Sequence, residues 1–273
     1  MPTRTLWTNT RRVVLGNPIM AGITLSCSTS CVPDLNRAEA LKTISEAGYR
    51  YVEAYSGKTE SRLSPDVVFA EQVLADLAHY GLTLSALNIS DISVGCNLTG
   101  IKREIDYAAS LGVSSVNIRG GHRTERDMNA LVNCLRVLAP FAQVRGITIN
   151  LRNCHGHRVE TLDDYQAVFS SIDLPALGVV IDIGQFCSSK IDPLDAFGRF
   201  ADRAHIVYTP AQIGRGAAAG TDTWALIAGL VAKGFEGMIV VEPDERTRNY
   251  ARHIRQARVQ LESILHGGGA ADF

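Results

Sequence analysis

Short apolar runs alternate with longer segments patterned like one-sided helices. The pair recurs eight times between residues 19 and 265, at a spacing of about 30 residues, the size of a strand-helix-strand repeat. The runs fall at 19–26, 51–55, 82–89, 115–119 and 147–151, from Leu177 to a terminating Asp182, and at 205–208 and 238–241. Helix punctuation separates them. Asn36 with Glu39 makes a capping box, Ser64 precedes Pro65, Thr161 leads Asp163 and Asp164, and Asp192 precedes Pro193. Gly48, Gly81, Gly112 and Gly146 stand where the helices at 37–47, 65–80, 98–111 and 124–144 stop. Further helices are expected from Thr161, at 193–200, at 223–233 and at 247–265.

Parallel strands need crossover connections, and eight such units close a sheet on itself. A chain of 273 residues has room for one such barrel or for two ordinary domains. No Pro-, Ser- or Gly-rich linker divides it. The expectation is therefore an α/β protein, a single parallel eight-stranded (β/α)8 TIM barrel over 1–273. Residues 1–17 form its lead-in, and 266–273, with glycines at 267–269, a flexible tail. An open doubly wound sheet would call for a glycine-rich phosphate fingerprint after the first strand, and none follows it.

The formal net charge of -1 and the absence of basic runs interleaved with aromatics argue against nucleic acid as a partner. No apolar stretch is long enough to span a bilayer, and the first 17 residues lack the apolar core of a secretory signal. Six cysteines at 27, 31, 96, 134, 154 and 187 show neither zinc spacing nor the density of a disulfide scaffold. They read as plain thiols in a reducing cytoplasm. Trp7 and Phe69 are candidates for an interface between copies of the chain.

Asp182 draws attention because a carboxylate ending a buried apolar run is costly without a partner, a metal or a substrate. The carboxyl ends of barrel strands are where such folds assemble their sites. The same ends offer Glu53, Asn88, Arg119 with His122, Arg152 with His155 and His157, Gln185, Tyr208, and Glu242 with Asp244. Each alone fits an ordinary polar loop. Asp182 and Glu242 stand out because each directly ends an apolar strand.

Three segments carry a resemblance: Ala47-Gly48-Tyr49-Arg50-Tyr51-Val52-Glu53, Val180-Ile181-Asp182-Ile183-Gly184-Gln185 with Asp192-Pro193 after it, and Gly234-Phe235-Glu236-Gly237-Met238-Ile239-Val240-Val241-Glu242. With these the chain resembles the xylose isomerase-like barrels, a superfamily of sugar isomerases, epimerases, dehydratases and zinc endonucleases. The resemblance implies a divalent metal, Mn, Mg, Zn or Co. Its ligands would be a Glu ending strand five, an Asp ending strand six, a His in strand seven and a Glu ending strand eight, with a further His three residues after the Asp. Asp182 and Glu242 match. Arg152 stands at the strand-five Glu, Tyr208 at the strand-seven His and Gln185 at the His after the Asp. His205 would replace Tyr208 only in a shifted register. The endonuclease branch needs more histidines than the seven in this chain can place.

A guanidinium is charged at every accessible pH and cannot ligate a cation. At ~4 Å and an effective dielectric of ~20 it repels a single charge by a few kcal/mol, and a double charge by twice that. No cofactor or metal is therefore expected, and Arg152 is expected to pair with Asp182 and Glu242 instead. The first reading is an isomerase, epimerase or lyase that moves a proton next to a carbonyl of a small polyhydroxylated or keto substrate. Glu242, Asp182, Arg152, His155 and Tyr208 would be catalytic, with Glu53, Arg119, His122, His157 and Gln185 binding the substrate. The second is a non-catalytic ligand-binding or partner barrel held by an internal salt bridge. The third is a metal enzyme with shifted ligands, recruiting His155 or His157.

Overall fold

All six residues of β6 (Leu177–Asp182) are buried, as a strand covered on both faces requires. It belongs to a closed all-parallel barrel in the computed structural model of the chain, with strands in sequence order. Residues 22–56, 63, 69–93, 97–123, 128–211, 222–243 and 249–266 are described. The other strands are β1 (Ile23–Ser28), β2 (Tyr51–Tyr55), β3 (Thr83–Asn88), β4 (Ser115–Arg119), β5 (Thr148–Arg152), β7 (Ala204–Pro210) and β8 (Gly237–Glu242). Around them run α1 (Arg37–Glu46), α2 (Ala70–His79), α3 (Leu98–Ser110), α4 (Met128–Gln143), α5 (Leu162–Ser171), α6 (Ile183–Ser188), α7 (Pro193–Phe200), α8 (Thr223–Ala232) and α9 (Tyr250–Leu265). The expected (β/α)8 barrel is present. None of the described helices is long and apolar enough to cross a membrane.

The local signals work as expected. Asn36 and Glu39 exchange both bonds of the capping box on α1, and Asp192 caps α7 with Pro193 in its first turn. Gly48 ends α1 at a φ of 93°, a conformation that favours glycine. One α-helix was not expected: the run that ends at Asp182 turns directly into α6, capped by the Asp182 side chain. The lead-in at 1–17, the helix starts at 65, 124 and 247, Cys96, Trp7, Asp244 and the tail beyond residue 266 lie outside the described residues.

Among the described residues two apolar clusters divide the core. The larger lies between the strands and their helices. The smaller, Ala86, Val180, Ile206, Tyr208 and Val240 with Met238 against it, fills part of the barrel interior. Strand alternation puts polar side chains on that inner face too. Ser26, Ser28, Glu53, Asn88, Asn117, Asn150, Arg152 and Asp182 are all buried. The register shifts once in β7, between the pairs Val179–Ala204 and Val180–Ile206. The shift places His205 at the strand's start, exposed and away from the carboxyl ends, so it does not replace Tyr208.

Candidate active site

The end of β6 is fixed from both sides of the peptide. Asn153, just past β5, accepts from the Asp182 backbone N–H at 3.0 Å and donates to its carbonyl at 3.3 Å. The carboxylate then divides its work. Oδ1 caps α6 by accepting the Gln185 N–H at 3.0 Å, and Oδ2 accepts Arg152 Nε at 2.9 Å and Nη2 at 2.6 Å. Glu242, at the end of β8, takes the other edge of the guanidinium. Its Oε1 accepts Arg152 Nη1 at 2.9 Å, and its Oε2 accepts Nη2. Tyr55, at the end of β2, donates its hydroxyl to Glu242 Oε1 at 2.9 Å and accepts from Arg152 Nη1 at 3.2 Å.

Arg152 thus makes one bond from Nε, two from Nη1 and two from Nη2, which uses all five of its N–H groups. Its guanidinium also lies over the Tyr208 ring, 4.3 Å from the centroid. Burial works against that charge, but Glu242 and Asp182 outweigh it and raise the Arg152 pKa further. Glu242 is pushed above the usual carboxylate range because burial exceeds the pull of Arg152. Burial, then the neighbouring Glu242, pushes Tyr55 well above the usual phenol value. It is a neutral donor at ordinary pH.

The Tyr208 hydroxyl points away from the mouth into the barrel. It accepts from Asn117 Nδ2 at 2.7 Å and has Glu53 Oε1 and Asn88 Oδ1 each at 3.2 Å. One phenolic proton serves only one of those two acceptors at a time. Glu53 is completely buried, and its Oε2 has no hydrogen-bond partner among the described residues. Burial first, then Glu242, raises its pKa well above the usual range. Asn88 Nδ2 likewise finds no hydrogen-bond partner among the described residues, so this inner layer keeps unmet polar atoms.

The remaining expected residues are scattered around this centre. Arg119 pairs in register with Arg152 and binds Asp91 through Nε at 3.0 Å, with its side chain 43% exposed. His155 turns outward, its Nδ1 2.8 Å from Glu160 Oε1 and 3.2 Å from Ser189 Oγ. Gln185 Oε1 accepts the His155 backbone N–H at 2.8 Å. His122 and His157 pair with each other across the two loops, ring centroids 4.6 Å apart. Sequence reasoning passed over Tyr55 and Asn153. Tyr55 was within reach, because it stands two residues after Glu53 and so shares its face.

The divalent ion that the resemblance implies does not fit this arrangement. A guanidinium fills the space between the two matching acids, Tyr208 presents a ring, and Gln185 is turned to a loop. Among the described residues no group of three or more His, Cys, Asp or Glu side chains is placed to hold a metal ion. His155 and His157, the proposed shifted ligands, are engaged elsewhere.

Acids at the carboxyl ends of β6 and β8 in a closed parallel barrel are the arrangement of the xylose isomerase-like class. Residues 41–262 match the family model described as "Xylose isomerase-like TIM barrel", and the chain belongs to that family. Comparison with curated proteins found no match. Among solved structures, 3-keto-D-glucoside 4-epimerase from E. coli superposes with a TM-score of 0.72 at 18% identity, over 88% of this chain and 99% of that one. An L-ribulose 3-epimerase gives 0.75 at 15% identity, over 89% and 95%. A fusion of a xylose isomerase-like barrel with 4-hydroxyphenylpyruvate dioxygenase gives 0.74 at 22% identity, over 91% of this chain and 43% of the fusion. The present chain spans less than half of that protein's length.

Proposed function

We propose that the chain is an isomerase or epimerase, or a lyase sharing the same first step, acting on a small polyhydroxylated keto substrate. The observation that carries this reading is the meeting of Tyr55, Glu242 and Arg152 within hydrogen-bonding distance at the barrel mouth. A carboxylate whose proton affinity is raised by burial is a better base. Glu242 takes the proton from the carbon beside the carbonyl, and the C–H electrons move to the carbonyl oxygen as an enolate. As Glu242 takes up the proton it ceases to need the Tyr55 hydroxyl, which turns from Glu242 Oε1 to donate to that oxygen while Arg152 supplies positive charge beside it. A solvent proton delivered to the opposite face, while Glu242 gives its own to solvent, inverts the carbon; return from Glu242 to the neighbouring carbon, with the enediol hydroxyl proton released as that oxygen becomes the carbonyl, isomerises the sugar; and a β-hydroxyl leaving with the proton as water gives elimination. In this reading no divalent ion takes part, and the reaction runs in a reducing cytoplasm that keeps Cys27, Cys31, Cys134, Cys154 and Cys187 out of disulfides.

The epimerases among the solved relatives support the substrate class, since both are named for sugars. The test is proton exchange. Incubated in D2O with a panel of ketoses and keto-glycosides, the protein should wash out the signal of a hydrogen beside the carbonyl. Glu242→Gln should slow that exchange by about 10²–10⁴-fold. Exchange that survives the substitution unchanged would remove Glu242 from the mechanism.

One observation favours a second reading. Because every N–H of Arg152 is already engaged, the centre is complete without substrate, as a purely structural ion pair would be. A ligand-binding barrel without catalysis would gain thermal stability from a member of the same panel while exchanging no proton.

A further inference from the structure

The three departures from the family's ligand set act together in the structure. Arg152 stands in place of a glutamate, and Tyr208 in place of a histidine puts an aromatic ring 4.3 Å from the guanidinium carbon. A ring of that kind attracts a cation through its face without offering a lone pair that a metal would take. The phenol end is anchored below by Asn117 at 2.7 Å, with Glu53 and Asn88 at 3.2 Å, so the platform cannot swing aside without breaking buried bonds. Gln185, in place of the second histidine, is spent on the His155 backbone. The two acids remain aimed. Asp182 is held through Asn153 and its own cap, and Glu242 through Tyr55.

We infer that Arg152 and Tyr208 form a single unit, a ring-seated guanidinium that takes the cation position between Asp182 and Glu242 and shuts divalent ions out. Tyr208 is a positioning residue in this unit. The inference rests on the proposed function only for the statement that Arg152 supplies the positive charge. Removing the unit should uncover a cation site that the rest of the barrel still maintains.

The test is Mn²⁺ titration of the full-length protein, followed by calorimetry and by the loss of the free-ion electron paramagnetic resonance signal. The parent and Tyr208→Phe should take up no stoichiometric Mn²⁺. Arg152→Glu combined with Tyr208→His should bind one equivalent, about tenfold or more tighter than Arg152→Glu alone, the order of effect one supporting group carries. Should the double variant not fold by circular dichroism, Arg152→Gln carries the test: Mn²⁺ should raise its melting temperature and leave the parent's unchanged. The inference is overturned by a parent that binds one equivalent lost in Glu242→Gln, or by a folded double variant that binds none. A single variant that matches the double also overturns it, as does an Arg152→Gln melt indifferent to Mn²⁺. Failure of the proton-exchange assay would remove the proposed function without moving these titrations.

Discussion

Arg152 sits with its side chain only 10% exposed, between carboxylates that are 7% and 14% exposed. Burying three charges is costly, and such a cluster holds only if every donor and acceptor finds good geometry. Taking the cation away leaves two buried acids facing each other. Arg152→Met should therefore destabilise the fold by about 3–5 kcal/mol in urea unfolding. A loss under about 1 kcal/mol, the range of surface pairs, would mean the centre is far wetter than its burial implies. Glu53 makes the opposite case, a buried acid without a cation of its own. An ordinary glutamate ionises near 4.5, and burial raises Glu53 well above that. Its contribution to stability is whole below the unfolded value and is lost as pH rises toward the folded one. Glu53→Gln keeps the shape without the ionisation, so its stability relative to the parent should climb as pH rises above 4.5. Parallel unfolding curves across that range would show that Glu53 keeps an ordinary pKa.

Gly178 shows how a strand's composition serves the interior. A Cβ there would lie 2.2 Å from Asn150 Oδ1, and Asn150 donates to Asn117, which in turn holds Tyr208. Gly178→Ala in β6 should cost about 1–3 kcal/mol as an overpacked core does, measured by thermal melting. It should also loosen the amide chain beneath Arg152. The strands and several helix ends were legible because their signals are local: apolar runs, Asn36 with Glu39, Asp192 with Pro193, a glycine just past each of α1 to α4. Helix α6 was not, because six residues are too few to show a helical period and Ile183 continues the apolar run. The two acids were legible as charges ending such runs, and so was their pairing with Arg152. The loop histidines were not, because Glu160, Ser189 and the cross-loop contact with His122 fix their directions. Those are tertiary bonds that no spacing encodes. Nor does spacing tell which way the Tyr208 hydroxyl points.

The centre ties β2, β5, β6 and β8 together at one end of a barrel whose closure depends on β8 pairing with β1. Such a clamp resembles a bound ion in connecting distant strands, but it is assembled from covalently attached parts and forms as soon as the chain folds. Two consequences separate it from a metal clamp. Nothing dissociates, so a chelator has nothing to remove, and the melting temperature in excess EDTA should equal that in added Mn²⁺. The pairs are largely buried, so moderate salt should leave the melting temperature nearly unchanged, since screening acts mainly on exposed charges. A protein stabilised by ligand binding follows the free ligand concentration, and a fall of several degrees in EDTA would show that an ion and not the guanidinium holds the mouth. Arg152→Met should then betray the clamp's reach. Amide exchange should quicken in β8 as well as in β5, because Glu242 loses its cross-barrel partner together with Asp182. Quickening confined to β5 would show that the barrel closes without help from its charged centre.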